Sequence, residues 1–204
     1  DNLKKGEKVK ELKIDIKIEP VKKPFLNAYY VSQLVAEKLV RNFPHRSTVH
    51  NAMNKVMEAG AKGVKIVPNS LHIYLNDFRF WPVYDFCNRT GLPLLTACGG
   101  GPGGGWDGWA RPTILKQAFE EFKNLKVIMA HFGGEHPQDA VDMARKYPGF
   151  YTDVQVDSWD EPGHWTTKEG IEWIRKAGVD KVLHGTNYPG GDPVKFVDKL
   201  KKLP

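Results

Sequence analysis

Short apolar segments alternate with amphipathic segments along most of this chain. Four of the apolar segments end in a polar or glycine-rich turn: GVKIVPN (63–69), LPLLTACGG (92–100), KVIMAHFGG (126–134) and KVLHGTNYP (181–189). Apolar runs of this length, bounded by turn residues, are typical of strands that are buried on both faces. Their alternation with helical segments predicts a parallel β-sheet covered by helices.

The same pattern gives approximate boundaries for the elements. Glycines predict the ends of two helices, at Gly91 and Gly178, and Pro137 is a favourable first residue for another. Residues Glu11–Glu19 alternate apolar and charged side chains, which predicts a strand with one face in water. The further predicted strands are 64–67, 92–96, 125–130, 150–156 and 181–183, and the predicted helices are 31–42, 48–59, 78–90, 112–123, 137–147, 167–177 and 193–202.

The order of these elements favours an α/β fold, and we predict a TIM-like (β/α) barrel. A complete eight-stranded barrel takes about 250 residues. The chain has 204 residues and its pattern supports six strands, so we expect a barrel that is incomplete or distorted in the N-terminal third. Residues 1–204 are predicted to form a single domain.

Charge and composition narrow the classes of partner. The net charge is +6, and the 30 Lys and Arg residues are spread along the chain without a stripe of interleaved aromatic residues. We therefore expect no nucleic-acid partner. The apolar runs are far shorter than the roughly 18 residues of a membrane span, so no membrane partner is expected either. With only two cysteines, the chain does not depend on disulfides, which favours a cytoplasmic location.

The four apolar segments, in this order and with helices between them, resemble the amidohydrolase-related family of metal-dependent hydrolases and decarboxylases. The resemblance covers residues 60–190. It implies that His131, within KVIMAHFGG, occupies a metal-ligand position. It also implies that Asn187 replaces the Asp that binds metal and activates water, and that Ala97 replaces another His ligand. Tyr188 follows Asn187 as it does in the family.

The first strand of that family ends in a His-x-His pair. In this chain the segment of matching character is KIDIKIEP, which places Lys17 and Glu19 at the two His positions. Glu19 is a possible zinc ligand, whereas a protonated Lys17 is not. The resemblance therefore implies a metal-enzyme barrel whose metal ligands have been replaced at several positions.

The substitutions bear directly on the chemistry. In the family a zinc-like ion lowers the pKa of its bound water and polarises the substrate carbonyl. Ala97 offers no donor atom, and Asn187 has neither the charge nor the basicity of Asp. We therefore expect no metal cofactor, although the family it resembles uses zinc.

Three functions follow as hypotheses. The first is a barrel of hydrolase or decarboxylase ancestry that acts on a small carbonyl or carboxylate substrate, with its native metal-dependent activity lost or strongly reduced. The second is an engineered metal-free lyase or aldolase in which Lys17 forms a Schiff base and Glu19 or His131 moves protons. The third is a non-catalytic scaffold or binding barrel.

Other side chains are candidates for lining the cavity at the carboxyl ends of the strands. Lys65 and Ala97 belong to two of the predicted strands. Trp106 and Trp109 follow a glycine run and could cover an apolar substrate, although a plain connection is the alternative. Cys98 points away from the cavity if the strand alternation continues. The residues predicted to lie at the surface are His45, His50, His136 and His164.

An incomplete barrel leaves unpaired strand edges, and a second copy of the chain could cover them. A homo-oligomer is therefore a further expectation.

Overall fold

The computed structural model describes residues 35–36, 38–41, 46–98, 107–155, 168–185 and 192–201. Residues 35–36 and 38–41 are helical and fall inside the helix predicted at 31–42. The predicted strand Glu11–Glu19 lies outside the described residues.

Five strands form one sheet in which every neighbouring pair is parallel and the order in space follows the order in the chain. Sequential parallel strands that are separated by helices are the arrangement of a (β/α) barrel wall, whereas a doubly wound sheet reverses its strand order. The α/β prediction is confirmed. The strands are β1 Val64–Ile66, β2 Leu94–Thr96, β3 Val127–Met129, β4 Phe150–Gln155 and β5 Val182–Gly185.

The helices lie close to their predicted positions. Two predicted helices, 78–90 and 112–123, begin with a 3-10 turn, which is frequent at helix starts. The α-helices are α1 Arg46–Glu58, α2 Pro68–Leu71, α3 Trp81–Thr90, α4 Lys116–Glu121, α5 Pro137–Lys146, α6 Lys168–Ala177 and α7 Pro193–Leu200. The 3-10 segments are Phe78–Phe80, Asp107–Ala110, Pro112–Leu115, Ala130–Gly133 and Val179–Lys181.

The connection from α3 to β2 depends on a glycine. Gly91 has a left-handed backbone (φ 72°), and its N–H donates to the carbonyl oxygen of Cys87. This is the αL cap that ends many helices, and it confirms the helix end predicted at Gly91. The chain then turns directly into Leu94–Thr96.

The two faces of the sheet differ in burial. The face that packs against the helices carries Val64, Ile66, Leu94, Val127 and Phe150, all fully buried. The opposite face, here called the inner face, would look into the lumen of a closed barrel. Its residues are half-buried or exposed, and they are Lys65, Leu95, Ile128, Tyr151, Asp153 and Leu183.

His50 corrects one prediction. Its side chain is only 12% exposed, and its ring packs edge-on against Phe86 at a centroid distance of 5.6 Å. His50 lies on α1 and meets Asp85 and Arg89 of α3. The expectation of a surface histidine was wrong because two helices pack at this position, which the sequence of α1 alone does not reveal.

Within the described ranges, no helix is long and apolar enough to cross a membrane.

Candidate functional site

The carboxyl ends of the strands bring several of the predicted site residues to one edge of the sheet. Ala97 follows β2, His131 follows β3, and β5 ends at Gly185. The structure adds Asp153 of β4 to this edge, a residue that the sequence analysis missed. Because the strands are parallel, their carboxyl ends all lie on the same side, where barrel enzymes carry their active sites.

His131 occupies a tight turn directly after β3. His131 and Phe132 both have left-handed backbones, with φ of 61° and 50°. Non-glycine residues rarely adopt this conformation, at a cost of roughly 1–2 kcal/mol each. The turn is stabilised by a hydrogen bond from Gly134 N–H to the carbonyl oxygen of His131, 2.8 Å long, and by the complete burial of Phe132. The half-buried His131 is thus fixed at the end of β3.

Asp153 holds the same turn from the neighbouring strand. Its Oδ1 accepts a hydrogen bond of 2.7 Å from the backbone N–H of His131. Burial raises the pKa of the Asp153 carboxyl, and the hydrogen bond from His131 and the charge of its ring act in the opposite direction. A charged side chain in this setting is costly to desolvate, so its presence calls for a role.

Gly185, at the end of β5, lies beside Asp153. A Cβ atom at Gly185 would lie 3.4 Å from Asp153 Oδ2, which is ordinary contact distance. The signal that could have identified Asp153 was present in the sequence. It is an acidic residue inside an otherwise apolar and aromatic strand, FYTDVQ.

Ala97 and Cys98 end β2 in different environments. Ala97 is half-buried and its N–H donates to the carbonyl oxygen of Ile66 at 3.2 Å. Cys98 is buried, and its thiol donates to the carbonyl oxygen of Ala110 at 3.0 Å. The thiol is therefore turned into the protein interior, as the strand alternation predicts.

Lys65 lies in the middle of β1 on the inner face. It is half-buried and is in register with Leu95 of β2, which in turn pairs with Ile128 of β3. The row continues to Tyr151 of β4. Lys65 thus shares a face with Asp153, one row closer to the start of the strands.

Trp109 is attached to the segment that follows β1. Its ring lies 4.5 Å from that of Tyr74 and 6.0 Å from that of His72, measured between centroids. Its carbonyl oxygen also accepts the N–H of Leu75 at 3.1 Å. The residues after β1 and those before Pro112 are thereby joined beside the candidate site. The remaining predicted site residues, Lys17, Glu19, Trp106, Asn187 and Tyr188, lie outside the described residues.

The side chains that the structure describes do not fit the metal that the family resemblance implies. Within the described ranges, no group of three or more His, Cys, Asp or Glu residues is placed to hold an ion. At the carboxyl edge the donors are His131 and Asp153, and one oxygen of Asp153 already accepts a backbone hydrogen bond. Zinc sites in proteins use three or four protein ligands, so this pair falls short.

Comparison with known families gives one extended match. A family model described as Amidohydrolase matches residues 39–202, about four fifths of the chain. The match includes all five described strands.

The fold is also similar to solved TIM barrels. An uncharacterized TIM-barrel protein from Bordetella bronchiseptica matches with a TM-score of 0.62 and 23% identity, over 78% of this chain and 56% of that one. A dihydroxybenzoic acid decarboxylase from Polaromonas sp. JS666, solved with manganese and the inhibitor 2-nitroresorcinol, matches with a TM-score of 0.58 and 15% identity. That match covers 87% of this chain and 69% of the decarboxylase. At these identities the likeness establishes the fold, which confirms the predicted barrel type.

Among curated proteins, the matches are short. Small ribosomal subunit protein uS3 of Methanocaldococcus jannaschii is 44% identical over 55 residues, which is 27% of this chain and 26% of that protein. The chain spans about a quarter of the length of the first curated relatives that it matches.

Proposed function

Because the chain belongs to the amidohydrolase family, we propose that it acts on a small carbonyl or carboxylate compound at the carboxyl edge of its strands. The native metal-dependent activity is lost or strongly reduced in this proposal. The observation that supports it is the hydrogen bond from the backbone N–H of His131 to Asp153, which holds the turn carrying His131 at the carboxyl end of β3, on the side where barrel enzymes do their chemistry.

In this proposal His131 is the acid–base group and Asp153 positions it. An imidazole exchanges protons near neutral pH. The 2.7 Å hydrogen bond from His131 N–H to Asp153 Oδ1 stabilises the left-handed backbone at His131. Lys65, which shares the inner face of the sheet with Asp153, supplies a positive charge that attracts a carboxylate.

The loss of metal chemistry rests on the donor atoms. Ala97 has no side-chain donor, and Asn187 provides a neutral amide in place of a carboxylate. His131 and Asp153 alone leave a zinc-like ion short of ligands. Without a metal, the chemistry proposed for this site is proton transfer by His131.

The solved Polaromonas relative supports a substrate class. Its name describes a decarboxylase that acts on a dihydroxybenzoic acid. An aromatic carboxylate has both an apolar ring for the side chains of Leu95 and Ile128 and a charge for Lys65. We therefore favour a small aromatic carboxylate over an amide.

The experiment measures metal content, binding and turnover on one preparation. Metal is determined by mass spectrometry, binding is measured with 2-nitroresorcinol and 2,6-dihydroxybenzoate, and carbon dioxide release is followed with EDTA or with added Mn²⁺. We expect well under one equivalent of metal and binding that EDTA leaves unchanged. We also expect Lys65→Met to weaken binding of the carboxylate, whereas Lys62→Met, at an exposed position just before β1, does not.

Two results would contradict the proposal. One equivalent of bound metal together with EDTA-sensitive turnover would show that the metal chemistry is intact. Failure of both aromatic probes to bind would remove the substrate class. Binding without turnover would instead support the third hypothesis, a binding barrel.

The similarity to ribosomal protein uS3 is too short to assign a function, since it covers about a quarter of either protein. The expectations of no nucleic-acid partner, a cytoplasmic location and a homo-oligomer stay predictions.

A further inference from the structure

A cavity opens among the helices that cover one face of the sheet. Its volume is about 400 Å³. It opens between the start of α1, the start of α3 with the 3-10 turn before it, and the end of α4. Its lining consists of Arg46, Phe78, Trp81, Pro82, Asp85, Glu121 and Phe122.

Aromatic rings form two adjoining walls of this cavity. The rings of Trp81 and Phe122 lie 5.4 Å apart between centroids, with their planes at 74°. Phe78, which is 62% exposed, lines the cavity beside them. The two rings pack edge to face, and Phe122 is only 9% exposed, so the ring area open to a cation comes mainly from the half-buried Trp81 and the exposed Phe78.

The basic residue in the lining is already paired. The Nε and an Nη of Arg46 donate to Asp85 Oδ2 at 2.9 and 2.5 Å. Arg89 also approaches Oδ2, at 3.8 Å, but it contacts His50 and does not line the cavity. The positive charge of Arg46 is therefore directed at Asp85 and not toward a ligand.

Acceptor atoms remain available to a ligand. Every contact that the described residues make with Asp85 uses Oδ2. Glu121 is exposed, and none of the described residues pairs with its carboxylate. An anionic ligand would be repelled by Glu121, whereas a positively charged one would be attracted by it and would contact the aromatic walls.

We propose that this cavity binds a small organic cation, an alkylammonium or quaternary ammonium compound, against the rings of Trp81 and Phe78 with Glu121 as its counter-charge. The combination of aromatic faces and a carboxylate is the general chemistry by which proteins recognise such cations. The site shares no residue with the proposed substrate site, since its lining residues belong to helices and to the segments beside them.

The test uses choline and its neutral isostere, 3,3-dimethylbutan-1-ol, at constant ionic strength. The full chain is labelled with 5-fluorotryptophan, and Trp81→Phe assigns the Trp81 signal in the ¹⁹F NMR spectrum. We expect choline to shift the Trp81 signal saturably and to leave that of Trp173 on α6 unchanged. The neutral isostere should produce no comparable shift.

Two matched variants test the counter-charge. Glu121→Gln should weaken choline binding by about threefold to tenfold. This is the range expected when a partly exposed cation loses the negative charge of its carboxylate partner. Glu120→Gln makes the same change one residue away, where the carboxylate accepts from Tyr147 and lies near Lys146, and should leave the affinity unchanged. The proposal is overturned by no choline-dependent shift of Trp81, by equal shifts with the neutral isostere, or by equal affinity in Glu121→Gln and wild type.

Discussion

At the scale of single residues, the half-buried carboxylate of Asp153 contacts a strained stretch of backbone at His131. His131 and Phe132 hold left-handed conformations, and Asp153 accepts the N–H of His131. Strained backbone persists where surrounding contacts compensate for it, and it is concentrated at functional sites. Asp153 and the buried Phe132 provide that compensation here.

Replacing Asp153 with Ala removes the acceptor for the His131 N–H. Leaving a half-buried N–H unpaired costs about 1 kcal/mol or more, so we expect local opening of the turn to become at least about fivefold more frequent. Amide hydrogen exchange at His131 measures this directly. Asp153→Asn keeps an oxygen acceptor and should preserve most of the protection. Equal protection in Asp153→Ala and wild type would contradict the positioning role.

His50 gives the fold a dependence on pH. Arg89 Nη2 lies 3.1 Å from His50 Nδ1, and a guanidinium can only donate, so Nδ1 accepts and the ring proton is on Nε2. Nε2 lies 2.9 Å from Asp85 Oδ2. Burial lowers the pKa of His50 from 6.5, Arg89 and Arg46 lower it further, and Asp85 opposes them.

Because the pKa of His50 is lower in the folded state, the unfolded chain takes up a proton first as the pH falls. The contribution of His50 to stability is therefore complete above about pH 6.5 and declines between that pH and the lower folded pKa. Thermal unfolding of His50→Gln should show less loss between pH 7 and 5 than the wild type. The exposed His184→Gln serves as the control and should behave like wild type. A steeper pH dependence in His50→Gln would show that protonation of His50 stabilises the fold, which is the opposite of this expectation.

At the scale of elements, local patterns were sufficient to predict most boundaries. The apolar run of each strand and the glycine after α3 depend on neighbouring residues alone, and the structure confirms them. Asp153 and His50 could not be interpreted in this way. Their roles arise from contacts with residues 22 positions away for Asp153 and 39 positions away for the His50 contact with Arg89.

The approach of the start of β4 to the segment before β3 depends on Gly149. A Cβ atom at this position would lie 2.0 Å from the carbonyl oxygen of Leu125, so Gly149→Ala forces the two backbones apart. We expect a loss of about 1–3 kcal/mol or more in unfolding free energy. At Gly91 a Cβ meets no atom within 4 Å, and Gly91→Ala should cost only the roughly 1–2 kcal/mol of a left-handed alanine. Urea denaturation compares the two, and a smaller effect at Gly149 than at Gly91 would contradict the packing argument.

At the scale of the whole molecule, the described sheet is an arc of a barrel wall. Among the described residues, β1 pairs only with β2 and β5 only with β4. The arc nevertheless brings the ends of strands that are far apart in sequence to one edge. This convergence is what makes a resemblance in sequence motifs informative about a site, because in a parallel barrel the residues that follow the strands lie around one space.

Restoring the family's ligand types tests whether this edge is an emptied metal site. The variant Ala97→His with Asn187→Asp adds an imidazole after β2 and a carboxylate after the last strand, and together with His131 it would offer three donors. Three protein ligands are enough for a catalytic zinc site. We expect the double variant to bind about one equivalent of Zn²⁺ by calorimetry and either single variant to bind much more weakly, since each leaves the ion a ligand short. If the double variant gains no affinity over wild type, the residues after β2 and β5 do not converge with His131 as the barrel arrangement requires, and Ala97 and Asn187 are not replaced ligands.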